Sequence, residues 1–152
     1  MKGFTLIELL ITVAILGLLA SVAAPLAELP MQRGKETELR RSLREVRAAI
    51  DRFKAAADAQ QIGGTDLRAG SEGYPPDLET LVEGVSVVND QSGRKLKFLR
   101  KVPIDPMTSS TEWGLRSYQD KPDSSSWGGQ NVYDVYTKST GTALDGTKYK
   151  DW

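Results

Sequence analysis

The chain contains no cysteine and no histidine. Thiolate and imidazole nucleophiles, thiol redox chemistry, c-type haem attachment and most zinc and copper sites are therefore excluded. The lack of disulfides does not assign a compartment, because an exported protein can do without them. Net charge is also absent: 20 basic residues balance 20 acidic ones. Nothing global draws the chain to nucleic acid or to an anionic surface. There is no phosphate loop either, since Gly63-Gly64 and Gly128-Gly129 lack the lysine and the strand–helix context. No serine has a histidine to activate it, and nothing in the sequence pairs carboxylates across a cleft. An enzyme is not expected.

What is present is unevenly spread. The 152 residues suffice for one modest domain, and 39% of them are apolar. Much of the Leu, Ile, Val and Ala lies before Pro30. The globular remainder must have a small core that leans on a long helix, on neighbouring subunits or on a bound ion.

Leu9 to Ala27 is an uncharged, mostly apolar run of 19 residues. As a helix it would measure about 28 Å, close to the roughly 30 Å of a bilayer's hydrocarbon core. Lys2 is the early basic residue, so the positive-inside rule places the N-terminus in the cytoplasm and everything after Glu28 outside. A secretory signal peptide is the alternative, with Ser21-Val22-Ala23-Ala24 as its cleavage site. A single lysine and a glutamate inside the apolar run count against it.

Glu8 is the most informative residue. A carboxylate in a spanning helix costs about 2.5–3.5 kcal/mol at mid-membrane, and less near the interface. Two readings follow. If a peptidase cuts between Gly3 and Phe4, the new α-amine of Phe4 becomes a cation for a neighbouring subunit's Glu8, and one ion pair per subunit sets the helix stagger. Otherwise Glu8 snorkels to the headgroups.

Gly3-Phe4-Thr5-Leu6-Ile7-Glu8 followed by an apolar stretch resembles the leader of type IV pilins and type II secretion pseudopilins. The resemblance implies cleavage after Gly3 by a prepilin peptidase, N-methylation of Phe4, and an assembly role for Glu8. Gly17 and Pro25 fall where that family has a helix-loosening glycine and a proline.

Beyond Glu36, apolar residues recur as Leu39, Leu43, Val46, Ile50, Phe53 and Ala57. This four-and-three spacing makes one face of a helix. The other faces carry Arg40, Arg41, Arg44, Arg47 and interspersed acids, a solvated surface rather than a nucleic-acid contact. Glu36 and Arg40 form an i, i+4 pair. Pro25 and Pro30 each remove a helical hydrogen bond, so a kink or a partly melted stretch is expected between Pro25 and Gly34. It would serve either as a mechanical element or as a plain linker.

Residues 61–73 read as loop. Asp77 caps a short helix that Gly84 stops. Val85–Val88 and Leu96–Leu99 suggest a hairpin, and Val102–Pro106 must be extended. Gly114–Tyr118 and Val132–Tyr136 read as strands, the second with its valines on one face and its tyrosines on the other. Trp113, Trp127 and Trp152 are expected to cover sheet edges or core margins. The expected fold is α+β and type IV pilin-like: a long N-terminal helix packed on a small antiparallel sheet. The expected parts are a leader (1–3), a transmembrane assembly helix (4–29), its amphipathic continuation (30–60) and a globular region (61–152).

Gly73-Tyr74-Pro75-Pro76-Asp77-Leu78, Pro103-Ile104-Asp105-Pro106, Tyr133-Asp134-Val135-Tyr136 and Asp145-Gly146 come in the order found in the major pseudopilins of type II secretion, the G component, and resemble them. Met107 stands where that family usually has tryptophan, the segment 108–131 is long, and the loop after Gly146 is short. The resemblance implies a calcium ion held near Asp145, with Asp151 and Thr147 as further oxygen donors. The residues alone also read Asp145-Gly146 as a turn.

The function implied is a structural subunit of a periplasmic pseudopilus that drives protein export. A type IV pilin or a DNA-uptake pseudopilin is the alternative, and a membrane-anchored domain that never polymerises is a third. Implied partners are further copies of the chain, minor pseudopilins, prepilin peptidase, the inner-membrane assembly platform, the outer-membrane secretin and, before assembly, membrane lipid. Nucleic acid is not among them.

Overall fold

The computed structural model describes residues 5–63, 67 and 69–152, without the side chains of residues 22–28. The chain divides into two compact units, Met1–Lys35 and Glu36–Trp152. The backbone of helix α1 (Leu6–Asp58) belongs to both.

The helix is unbroken where melting was expected. Pro25 and Pro30 deny an N–H to the carbonyls of Ser21 and Leu26, yet residues 25–34 remain helical. Each missing bond is a single rung, and the proline's fixed φ already suits a helix. The neighbouring residues, mostly alanine, leucine and glutamate, favour helix as well.

In the second unit, α1 supplies one wall of the core. Leu39, Leu43, Val46, Ile50 and Phe53 are buried as their spacing predicts, joined by Ala49 and Ala56. Each large side chain removed from water contributes about 1.5–3 kcal/mol. Facing them are Leu78 and Leu81 of α2 (Leu78–Glu83), Phe98, Trp113, Val132 and Val135. The Phe53 and Phe98 rings meet at 5.2 Å and 59°.

Asp77 caps α2 as expected, its Oδ1 accepting from Thr80 N at 2.8 Å and from Thr80 Oγ1 at 2.6 Å. Gly84 ends the helix at φ +81°, where a Cβ would lie 2.8 Å from the Leu96 carbonyl oxygen. No other residue fits there.

The expected sheet is two separate antiparallel ribbons. β1 (Val85–Ser86) pairs with β2 (Lys95–Leu96), and β3 (Gly114–Arg116) with β4 (Asp134–Tyr136). Both are shorter than the apolar runs suggest. In the second ribbon Gly114 lies opposite Tyr136, and the tyrosine ring occupies the space a Cβ would need.

The two valines of Val132–Tyr136 share the buried side as expected, but the tyrosines do not share the other: Tyr133 is exposed and Tyr136 buried, because the strand starts only at Asp134. Val132 N–H is spent on the Pro75 carbonyl, which turns the chain before the ladder begins. Trp113 is also more than a margin residue: it is 4% exposed, and its indole N–H donates to the Pro103 carbonyl at 2.9 Å.

Candidate functional site

From Leu6 to Leu19 the helix of the first unit carries apolar side chains on every face. Thr5 opens it: the Thr5 carbonyl accepts from Glu8 N (3.1 Å) and Leu9 N (3.2 Å), and its Oγ1 accepts from Glu8 N at 3.4 Å. Thr-x-x-Glu is the capping-box spacing. Glu8 therefore sits in the first turn, near the positive end of the helix dipole. The Thr5-x-x-Glu8 spacing is the local sequence signal of this cap.

Ten large apolar side chains from Leu6 to Leu19 are 52–79% exposed. They occupy every face, so this is no amphipathic stripe. A helix of this kind is stable in water only if something covers it, lipid or other helices. Covering ten such side chains is worth on the order of 15–30 kcal/mol before the costs of association. The hydroxyls along it are already satisfied within the helix. Thr12 Oγ1 donates to the carbonyls of Glu8 (3.0 Å) and Leu9 (2.9 Å), and Ser21 Oγ to that of Leu18 (2.7 Å). Such bonding suits an apolar surrounding, where an unpaired hydroxyl would be costly. Glu8 is the one ionisable side chain from Thr5 to Ser21.

Among the described residues no helix is long and apolar enough to cross a membrane. The apolar side chains described, from Leu6 to Ser21, cover about 24 Å of helix, short of the roughly 30 Å required. The span expected over residues 4–29 also takes in Phe4 and residues 22–28, whose side chains lie outside those described. The cleavage residues Gly3 and Phe4 lie outside them too.

The expected calcium donors belong to the second unit. Gly146 has φ +86° and donates its N–H to the Ala143 carbonyl, so Asp145-Gly146 forms a turn. Asp145 Oδ1 accepts from Thr147 N at 2.9 Å and Thr147 Oγ1 at 2.6 Å, while Oδ2 faces Arg40 at 3.6 Å. The Thr147 hydroxyl and amide, aided by Arg40, hold the Asp145 carboxyl below its ordinary range. Thr147 Oγ1 also receives the Trp152 indole N–H at 2.7 Å. These oxygens are already engaged, and a cation would have to compete with Arg40. Among the described residues no three of His, Cys, Asp or Glu gather as a metal site. As placed, Asp145 and Thr147 bond each other, Arg40 and Trp152 and do not present free oxygens toward the six to eight that calcium takes, and Asp151 ends a 3-10 turn, Tyr149–Asp151.

Three arginines of α1 make contacts rather than a purely solvated face, and one of them, Arg52, donates to the Phe98 carbonyl at 2.8 Å. Arg40 lies 3.8 Å over the Trp152 ring. Arg47 bonds Asp134 and the carbonyls of Val135 and Trp152. Glu36, expected to pair with Arg40, places Oε1 on Leu144 N and the Tyr149 hydroxyl, both at 2.9 Å. Only the folded chain brings residues a hundred positions apart together.

Residues 1–24 match the family described as the prokaryotic N-terminal methylation motif. The chain is 37% identical over 78 residues to the type IV major pilin protein PilA of Myxococcus xanthus, covering 48% of this chain and 36% of that protein. It is 31% identical over 98 residues to the type IV major fimbrial protein FimA of Dichelobacter nodosus, covering 64% and 62%. It is 29% identical over 108 residues to the type II secretion system core protein G of Pseudomonas aeruginosa, covering 69% and 67%. The chain thus spans about a third of the first of these relatives and under two thirds of the second. No solved structure matches it. Motif, relatives and the helix-plus-sheet architecture together support a pilin-like protein. Within that class, the relatives support a type IV pilin-like or pseudopilin subunit.

Proposed function

We propose that the chain is a structural subunit of a periplasmic pseudopilus of the type II secretion class. The observation that carries this reading is the exposed, all-round apolar helix with one carboxylate at its head, in a chain bearing the N-methylation motif. The precursor lies in the inner membrane with the globular unit outside. Prepilin peptidase cuts between Gly3 and Phe4, and Phe4 is methylated. The helices then leave lipid and pack against one another, Glu8 of one copy pairing with the Phe4 amine of the next. Such contacts are heterologous and propagate as a helix. Minor pseudopilins, the inner-membrane assembly platform and the outer-membrane secretin complete the machine. The match to core protein G covers more of this chain than those to the pilins, which favours the secretion branch.

A surface type IV pilin, or a DNA-uptake pseudopilin, is the second reading. The higher identity to PilA and FimA favours the pilin. Loss of secretion in a deletion strain supports the first reading; retained secretion with lost surface fibres supports the second. Mass spectrometry of the mature N-terminus tests both. The expected mass begins at a methylated Phe4, and a mass retaining Met1-Lys2-Gly3 would sink the scheme. Glu8→Leu is expected to insert normally in the membrane and fail to polymerise.

A further inference from the structure

The chain as a whole is neutral, but one cavity of the second unit is not. It measures about 500 Å³ and is lined by Arg52, Lys97, Phe98, Leu99 and Arg100. Three of these five residues are cations and none is an acid. Asp51, next to Arg52 on α1, and Glu83, at the end of α2, do not line it. Among the described residues Arg52, Lys97 and Arg100 form no ion pair. Elsewhere the fold pairs its cations. In the cavity walled by Arg40, Leu43, Arg44, Arg47 and Trp152, Arg40 faces Asp145 at 3.6 Å and Arg47 bonds Asp134 at 2.7 Å.

The wall that carries these cations is held in place. Phe98 and Leu99 are buried, and their N–H groups both donate to the Leu81 carbonyl, at 3.0 and 2.9 Å. Helix α2 thereby fixes the segment between Lys97 and Arg100. The stem of Lys97 lies close to the backbone at Gly84, where a Cβ would come within 2.8 Å of Lys97 Cγ. The Phe98 carbonyl accepts from Arg52 Nη2 at 2.8 Å. That bond orients the guanidinium and, among the described residues, leaves its other N–H groups without a protein acceptor.

We propose that this cavity binds a phosphate dianion, free or as a monoester. Three cations gathered in one place repel one another, and an entering anion relieves that repulsion. A carboxylate or a phosphodiester, each a monoanion, compensates only one of the three charges. A phosphate monoester carries about −1.5 to −2 near pH 7. Its oxygens can meet the guanidinium fork and two further cations at once. Phe98 and Leu99 supply apolar surface for the organic part of an ester. The proposal uses residues of the second unit alone and does not depend on the fibre reading.

The test titrates full-length chain in neutral detergent with inorganic phosphate, at constant ionic strength and about pH 7.5, where phosphate is largely a dianion. Calorimetry is expected to show saturable binding. Lys97→Gln and Arg100→Gln, both at exposed positions, are expected to keep the melting temperature of the phosphate-free chain. Each should weaken phosphate binding about tenfold, as loss of one charge-assisted contact requires. Acetate and dimethyl phosphate should bind about tenfold more weakly than phosphate or methyl phosphate. Micelles of a short-chain phosphatidic acid separate the sources of the ligand. Tighter, variant-sensitive binding to the micelle assigns the site to a lipid headgroup, and equal or weaker binding to a soluble phosphate. Absence of saturable phosphate binding, an equal response to acetate, or binding unchanged in both variants would overturn the site and leave the three cations as a solvated face.

Discussion

Arg47 Nε donates to Asp134 Oδ1 at 2.7 Å, joining α1 to β4 across 87 positions of sequence. The same guanidinium reaches the Val135 carbonyl at 3.1 Å and the Trp152 carbonyl at 2.8 Å. One side chain thus ties the helix to a strand and to the last residue of the chain.

Arg47→Leu is expected to destabilise the second unit by about 1–2 kcal/mol. Hydrogen bonds to charged groups are worth roughly 1.5–3 kcal/mol, discounted here because the pair is partly solvated. Arg47→Lys should recover only part, since an ammonium cannot present the planar fork to three acceptors. Chemical denaturation of the full-length chain in detergent measures both. Equal stability of the Leu variant and wild type would remove Arg47 as the tie.

Phe53→Ala is expected to cost about 3–5 kcal/mol, because the side chain is fully buried against Phe98 and leaves a cavity. Typical domains hold only 5–15 kcal/mol in total, so the variant should be protease-sensitive at 37 °C. Resistance equal to wild type would contradict the packing described.

Asp120 Oδ2 accepts from Ser117 N at 2.7 Å and from Gly128 N at 3.0 Å, and these amides hold its carboxyl below the ordinary range. A depressed carboxyl contributes stability that is present above its unfolded value, near 3.9. That contribution is lost as pH falls through the lower folded value. The 117–131 loop should therefore loosen in acid, seen as faster amide exchange below about pH 4. Asp120→Asn should show that faster exchange already at neutral pH and no further acid response of this loop. An unchanged acid response in the variant would assign the effect to another group.

Chelation of calcium is expected to leave the melting temperature unchanged, because Thr147 and Arg40 already occupy the Asp145 carboxylate. Asp145→Ala should lower it by releasing the turn. A chelator-induced drop of several degrees, reversed by calcium and absent in Asp145→Ala, would restore the ion.

Much of this was legible in the residues. The leader and the apolar run are local signals, and so are the four-and-three spacing from Leu39 to Phe53, the Asp77 cap and the Gly84 stop. Each depends on neighbours within a few positions, where periodicity and backbone chemistry act directly. Thr5-x-x-Glu8 belongs with them and was available.

Only the tertiary structure decided the rest. It split one expected sheet into two ribbons, buried Tyr136 on the side of the valines, and turned Arg40 and Arg47 from solvent toward Trp152 and Asp134. It also spent the Asp145 oxygens on Thr147 and Arg40. Those outcomes depend on partners from about ten to more than a hundred positions apart, or on oxygens whose occupancy follows from the packed geometry. Such pairings leave no period in the sequence. They are selected when burial brings polar groups together and leaves each the choice of a partner or a desolvation penalty.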